Sequence, residues 1–320
     1  MVNEDLVLDR ILTMEIARVT EAAAIAASRM AGRGDEHAAD HAAVEAMRGA
    51  LNQLHINGRV VIGEGERDEA PMLYIGERVG AGGPEVDIAL DPLEGTTLTA
   101  KSMANALAVI AIAHRGCLLH APDVYMDKIA IGGGYPENLV DLDRDPAENV
   151  RLLAKAKGVD VEHITVCVLD RPRHAELIAK LRAVGARVAL ISDGDVAGVI
   201  NTTDPETKID MYIGQGGAPE GVLAAAALRC IGGQIQTRLV FRNDDERARA
   251  AHAGITDLRR KYTTEDMVKG DVIFGATGVT DGSMLDGVHL VGQFVTTDTV
   301  IMRASTGTVR WIKARHRRTW

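Results

Sequence analysis

Between Ile164 and Gly233 the chain alternates apolar runs of strand length with runs of helical period, and this alternation limits the fold more than any other feature. "ITVCVLD" reads as a strand, "RHAELIAKLRAVG" as a helix closed by Gly185, and "RVALISD" as the next strand. "DVAGVIN" reads as a short helix, "IDMYIG" as a strand, and "PEGVLAAAALRCIGG" as a helix. Strands and helices at this spacing predict an α/β architecture with covered sheets, because each apolar face must be buried against a neighbouring layer.

Upstream, "LVLDRILTMEIARVTEAAAIAASRM" (Leu6 to Met30) has helical spacing and ends at Gly32 and Gly34, and a second Ala-rich helix is expected from Ala38 to Leu54. "RVVIGEGE", "VDIALD", "ANALAVIAIAHRG" and "DKIAIGG" read as buried strands, and "VHLVGQFVTTDTVIMRASTGTVRWI" as antiparallel strands with Gly turns. The texture changes near residues 145–163, where "LDRDPAEN" has the polarity of a surface connection. That predicts two halves, 1–155 and 156–320.

Composition narrows the function. With 320 residues, 46% of them hydrophobic, the chain can bury one large core or two moderate ones, and with only 3% aromatics Ala, Val, Ile and Leu must fill them. A net charge of −9 disfavours a nucleic-acid binder. No apolar run of about 18 residues exists, so no membrane span is expected. The acidic start "MVNEDLVLDR" lacks the basic region of a secretory signal, which makes the cytoplasm the expected location. Three single cysteines, Cys117, Cys167 and Cys230, read as buried thiols. The basic tail "RWIKARHRR" reads as a solvated terminal strand or a subunit contact.

Acids gather at three strand ends: Glu64, Glu66, Asp68 and Glu69; Asp91 and Glu94; Asp193 and Asp195. In open α/β sheets ligands bind at the carboxyl ends of strands, although Asp, Gly and Pro also populate plain turns. If the groups converge, two carboxylates about 4 Å apart repel by roughly 4 kcal/mol at an effective dielectric near 20. A hard divalent ion, Mg²⁺ or Mn²⁺, suits such an all-oxygen set. Zinc fits less well, because the histidines are not arranged with these acids; His37 and His41 are helical i,i+4 neighbours, but no motif supports a metal role for them. Gly95-Thr96-Thr97 opens a helix whose free N–H groups suit a phosphate; a simple Thr96 N-cap is the alternative. In "IGQGGAPEGV", Gly216-Gly217 precede Pro219 and Glu220, a backbone that a ligand can approach, or a Gly-rich turn with an acid at the helix dipole. Arg171 and Arg173 follow a strand and suit a second phosphate. "IGGGYP" lacks a dinucleotide-binding spacing and reads as a turn. A carboxylate pair beside a phosphate-binding turn points to metal-assisted phosphoryl transfer to water.

"DPLEGT" resembles the lithium-sensitive metal-dependent phosphatase signature, with Glu94 where many members carry Asp. "GRGDEHAAD", "VIGEGERDEAPMLYIGE", "DPLEGTT", "ANALAVIA", "APDVYMDK", "PRH", "DGDVA" and "GGAPEGV" together resemble class II fructose-1,6-bisphosphatase, in order from about Leu6 to Arg310. The resemblance implies a layered α-β-α-β-α fold of the inositol and sugar phosphatase type. It implies a metal- and phosphate-binding first half, with a second half completing the active site. Metal ligands would be Asp40, Glu64, Asp91, Glu94 and Glu220. Substrate contacts would be Gly95, Thr96, Tyr125, Arg171, Pro172, Arg173, Asp193, Gly194, Asp195 and Gly217. Thr96 would orient and help deprotonate water, with Glu66 and Asp68 as accessory acids. Asp40 itself reads from the residues as a plain exposed acid in mid-helix. Glu36 stands where many members have Lys.

The expected reaction is loss of the 1-phosphate of fructose 1,6-bisphosphate, giving fructose 6-phosphate, with Mn²⁺ or Mg²⁺. It would serve gluconeogenesis or the reductive pentose phosphate cycle, in a homodimer or homotetramer whose partner is a sugar bisphosphate, not nucleic acid or membrane. Sedoheptulose 1,7-bisphosphate or an inositol phosphate are rival substrates, and a non-hydrolysing sugar-phosphate sensor is a rival from another class.

Overall fold

Caps, prolines and glycines decide where each element starts and stops. The computed structural model describes residue 8 and residues 10–65 and 72–318, and the chain divides into two compact units, one from 1–120 with 268–320 and one from 121–267. The first unit begins with α1 (Arg10–Ser28) and α2 (Glu36–Leu51). Asp35 caps α2 by accepting the Ala38 N–H, and the helix ends at Leu51, three residues before the expected Leu54, with Asn52 as its C-cap. There follow β1 (Asn57–Ile62), β2 (Arg78–Val79), β3 (Glu85–Glu94), α3 (Thr96–Ala100) and β4 (Leu107–His114).

The second unit contains β5 (Tyr125–Ile131), α4 (Pro146–Lys157), β6 (Thr165–Leu169), α5 (Ala175–Ala183), β7 (Arg187–Ile191) and α6 (Asp195–Ile200). It continues with β8 (Met211–Gly217), α7 (Ala218–Ile231), β9 (Gln234–Val240), α8 (Asp244–His252), β10 (Tyr262–Thr263) and α9 (Thr264–Met267). The chain then returns to the first unit with β11 (Val272–Gly278), β12 (His289–Val291), β13 (Phe294–Arg303) and β14 (Thr308–Arg317).

In the first unit the strands run β12-β13-β11-β4-β3-β1-β2, with β14 paired along all ten residues of β13. Only β1 and β3 are parallel. Helices α1 and α2 cover this sheet, packing Ile16, Ala39, Ala43, Met47 and Leu51 with Ile88, Leu90, Ile110, Ile112, Ile273 and Ile301. Their alanine faces let the helices approach closely, which explains how a chain poor in aromatics fills its core.

In the second unit the order is β10-β9-β5-β8-β6-β7, with β6 parallel to both β7 and β8 and the other pairs antiparallel. Ile129, Ile131, Val166, Val168, Met211 and Ile213 pack with α4 and α5. Val196, Val199, Val222 and Leu223 of α6 and α7 are buried as well. Both sheets are therefore mixed, and the α/β class expected from the alternation is the one observed.

The division into units differs from the break expected near residue 155. "LDRDPAEN" is a turn leading into α4 inside the second unit: Asp145 caps the helix, Pro146 stands at its first turn, and Val150, Leu153 and Ala154 further along α4 are buried. The first unit is closed by β11, which pairs with β4 over seven residues, a long-range contact that no local texture announces. "IGGGYP" is a turn. Among the described residues no helix is long and apolar enough to cross a membrane.

Candidate active site

The stretch from Asp91 to Thr96 breaks regular strand geometry between its two acids and again at Gly95. β3 pairs with β4 at Asp91–Val109 and again at Glu94–Leu107, with an irregularity between. Pro92 has no N–H for the ladder, so the strand bulges there. Asp91 Oδ1 accepts the Leu93 N–H at 3.0 Å, and Glu94 is buried, 4% exposed. Gly95 then adopts φ 90°, and a Cβ there would meet Leu98 Cδ1 at 2.8 Å, so glycine is required on two counts. Thr96 opens α3, and no side chain caps that helix, so its first-turn N–H groups are not taken up by a capping oxygen.

Of the other carboxylates of the first unit, Asp40 differs from its sequence reading and Glu64 does not. Asp40 on α2 is half-buried, and its pKa is raised, chiefly by burial, against the opposing effect of His37 and His41. It is not a plain exposed acid. Glu64 follows β1 and donates its backbone N–H to Leu73 O at 3.1 Å. Glu66 and Asp68 lie outside the described residues.

In the second unit, β8 runs into α7 through Gly216 and Gly217. A Cβ on Gly216 would lie 2.1 Å from Asp195 Oδ2, and one on Gly217 would lie 2.0 Å from Glu220 Oε2, so these glycines let two carboxylates press onto bare backbone. Asp195 is 5% exposed and Lys128 1% exposed. Lys128 Nζ donates to Asp195 Oδ2 at 2.7 Å, and the Tyr212 hydroxyl donates to the same oxygen at 3.1 Å. Burial and then the charge of Asp195 push the Glu220 pKa up to about 7, with Lys128 opposing. Glu220 Oε2 is buried with no hydrogen-bond partner among the described residues. An orphaned carboxylate oxygen buried near a second carboxylate fits a hard divalent cation. Within each unit, the described His, Cys, Asp and Glu side chains form no group of three that would enclose an ion by themselves.

A basic and aromatic cluster completes the second unit. Arg173 and Arg242 each lie over the Tyr125 ring, at 4.8 and 4.7 Å from its centre. Arg242 is tied to Glu246, Nε to Oε1 at 2.6 Å. Arg171 approaches Asp193, Nη2 to Oδ1 at 3.8 Å, bringing the ends of the neighbouring strands β6 and β7 together. Pro172 starts the single 3₁₀ turn Pro172–His174, and Gly194, at φ 82°, precedes α6. Lys128, Tyr212, His174 and Arg242 belong to these surroundings and were not picked out from the sequence. A lysine inside the apolar run "DKIAI" was the one local sign.

The family model described as bacterial fructose-1,6-bisphosphatase, glpX-encoded, matches residues 10–316. The chain is 46% identical over 322 residues to the protein named fructose-1,6-bisphosphatase 1 class 2 of Escherichia coli strain K12, covering 96% of this chain and 95% of the relative. The same figures hold for the class 2 fructose-1,6-bisphosphatases of Escherichia coli O6:H1 and Shigella flexneri. With a match that runs almost end to end, the chain belongs to the bacterial, glpX-encoded fructose-1,6-bisphosphatase family.

Proposed function

We infer that this protein hydrolyses fructose 1,6-bisphosphate to fructose 6-phosphate and phosphate in gluconeogenesis. The observation that carries this reading is the family match over residues 10–316; the chemistry around Asp91–Thr96 and Gly216–Glu220 agrees with it. The reaction uses a divalent metal, for which Mn²⁺ or Mg²⁺ suits the oxygen donors. Asp40, Glu64, Asp91, Glu94 and Glu220 are the proposed metal ligands, and a divalent cation would supply charge stabilisation to a reacting phosphoryl group.

The chain's own residues would then divide the work. The N–H groups of Gly95 and Thr96 would hold phosphoryl oxygens, and the Thr96 hydroxyl would orient the attacking water and relay its proton, accepting it while passing its own to a carboxylate of Glu66 or Asp68. Tyr125 and the guanidiniums of Arg171, Arg173 and Arg242 hold the second phosphate, since planar guanidiniums bind phosphate through paired donors. Asp193, Gly194 and Asp195 contact sugar hydroxyls, with Pro172 shaping the turn beside them and Gly217 admitting the substrate to the backbone. Lys128 holds Asp195 in place through its hydrogen bond to Oδ2. We further assign the protein to the cytoplasm and to a homodimer or homotetramer, the assembly that the resemblance implies; light scattering of the purified protein tests the assembly.

A substrate panel with phosphate readout tests the assignment. Fructose 1,6-bisphosphate should give the highest kcat/KM, above sedoheptulose 1,7-bisphosphate and inositol monophosphate. Thermal stabilisation by fructose 1,6-bisphosphate with no phosphate released would point instead to a sensor.

A further inference from the structure

β8 loses a neighbour halfway along its length. It pairs with β6 only at Val166–Met211 and Cys167–Tyr212, and β6 ends at Leu169. On its other side β8 stays paired with β5 as far as Tyr125–Gly217. Past Tyr212 the backbone groups that face the departed strand need new partners. Gln215 finds them in side chains. Its N–H donates to His174 Nε2 at 2.8 Å, and its C=O accepts from Arg173 Nε at 3.2 Å and Nη2 at 2.7 Å.

The other imidazole nitrogen, His174 Nδ1, lies 2.7 Å from Leu169 O, the last carbonyl of β6. The ring therefore spans the gap that β6 leaves. A backbone N–H on Nε2 requires that atom to accept, so the proton sits on Nδ1 and donates to Leu169 O, and the ring is neutral. Gly214 makes room for it: a Cβ there would come within 3.2 Å of His174 Cε1. The side chain is 4% exposed. Asp127, Lys128, Arg173 and Arg238 line a cavity of about 230 Å³ beside it, and Arg238 is held bidentately by Asp143. Burial lowers the His174 pKa, with Arg173 and Arg171 acting the same way and the Leu169 hydrogen bond and Asp127 opposing.

The residues that follow Gln215 are those pressed against Asp195 and Glu220. We propose that neutral His174 is a positioning residue for the hydrolysis: by substituting for the absent strand it fixes the Gln215 peptide, and through it the Gly216–Glu220 segment. The proposal rests on the phosphatase reading for its kinetic consequence, but not for the clamp itself.

The test compares His174→Gln, which keeps an acceptor for the Gln215 N–H, with His174→Leu, which does not. Each is assayed for fructose 1,6-bisphosphate hydrolysis against pH and for amide hydrogen exchange at residues 214–221. His174→Leu should lose kcat/KM by about 100-fold, the scale of a misplacement of about 1 Å, and should exchange the segment faster. His174→Gln should stay within about threefold of the wild type, keep slow exchange, and lose the acid-side decline that protonation of His174 produces. Wild-type kcat/KM in a folded His174→Leu protein, or a His174→Gln protein as impaired as His174→Leu, would overturn the proposal. If His174→Leu does not fold, an unchanged acid limb in His174→Gln overturns it and a lost limb supports it. Absence of phosphate release from the wild type would remove the phosphatase reading, while the exchange comparison would still decide the clamp.

Discussion

Lys128 Nζ lies 2.7 Å from Asp195 Oδ2, inside the second unit and 67 positions apart in sequence. With the two side chains 1% and 5% exposed, neither charge has water to fall back on. Replacing Lys128 by Met keeps the volume but leaves Asp195 buried without a counter-charge. Lys128→Met should therefore destabilise the protein by about 3–5 kcal/mol, read as a lower urea midpoint at neutral pH. The double variant Lys128→Met with Asp195→Leu should recover part of that loss, because no lone charge then remains buried.

Thr96→Ala removes the hydroxyl assigned to the attacking water while keeping the α3 backbone. kcat should fall by about 10²–10⁴-fold, the usual contribution of a positioned proton acceptor. The melting temperature and divalent-ion affinity should be unchanged. Normal kcat in this variant would remove Thr96 from its proposed role.

Gly217→Ala probes the support of Glu220 without touching its carboxylate. The added methyl would sit 2.0 Å from Glu220 Oε2, so the side chain must turn away. Mn²⁺ affinity measured by titration calorimetry should drop by about 10–100-fold, the range found when a ligand's supporting contacts are lost. Gly49→Ala, where a Cβ meets nothing within 4 Å in the last turn of α2, is the control and should bind Mn²⁺ normally.

Acid stability should depend on Asp87. This fully buried carboxylate on β3 would be raised by burial, but hydrogen bonds from His120 and the Gly116 N–H, together with the charge of Arg59, hold its pKa below the ordinary value. A depressed carboxyl contributes stability that is present above its unfolded pKa of about 3.9 and is lost as pH falls through the lower folded value. Unfolding free energy should fall below about pH 4 in the wild type, and Asp87→Asn should be less stable at pH 7 with a flatter decline there.

What the sequence revealed and what it hid follow the range of the forces involved. Gly95-Thr96 and Gly216-Gly217 were legible because a left-handed turn, a bulge at Pro92 and a close backbone approach each need particular residues within a few positions. The α/β class followed from period alone. Asp40 was misread as exposed because its surroundings come from packing around α2 rather than from its neighbours in the chain. The partners of Lys128 and His174 lie 67 and 41 positions away, and no local pattern encodes such pairings. The unit boundary was hidden for the same reason: residues 268–320 complete a sheet begun before residue 120.

The most direct test is phosphate release from fructose 1,6-bisphosphate by the purified, chelator-treated protein, with and without added Mn²⁺ or Mg²⁺. The account predicts stoichiometric fructose 6-phosphate and phosphate with the metal and essentially none without it. Hydrolysis that is equally fast in excess chelator, or no release with either ion, would contradict it.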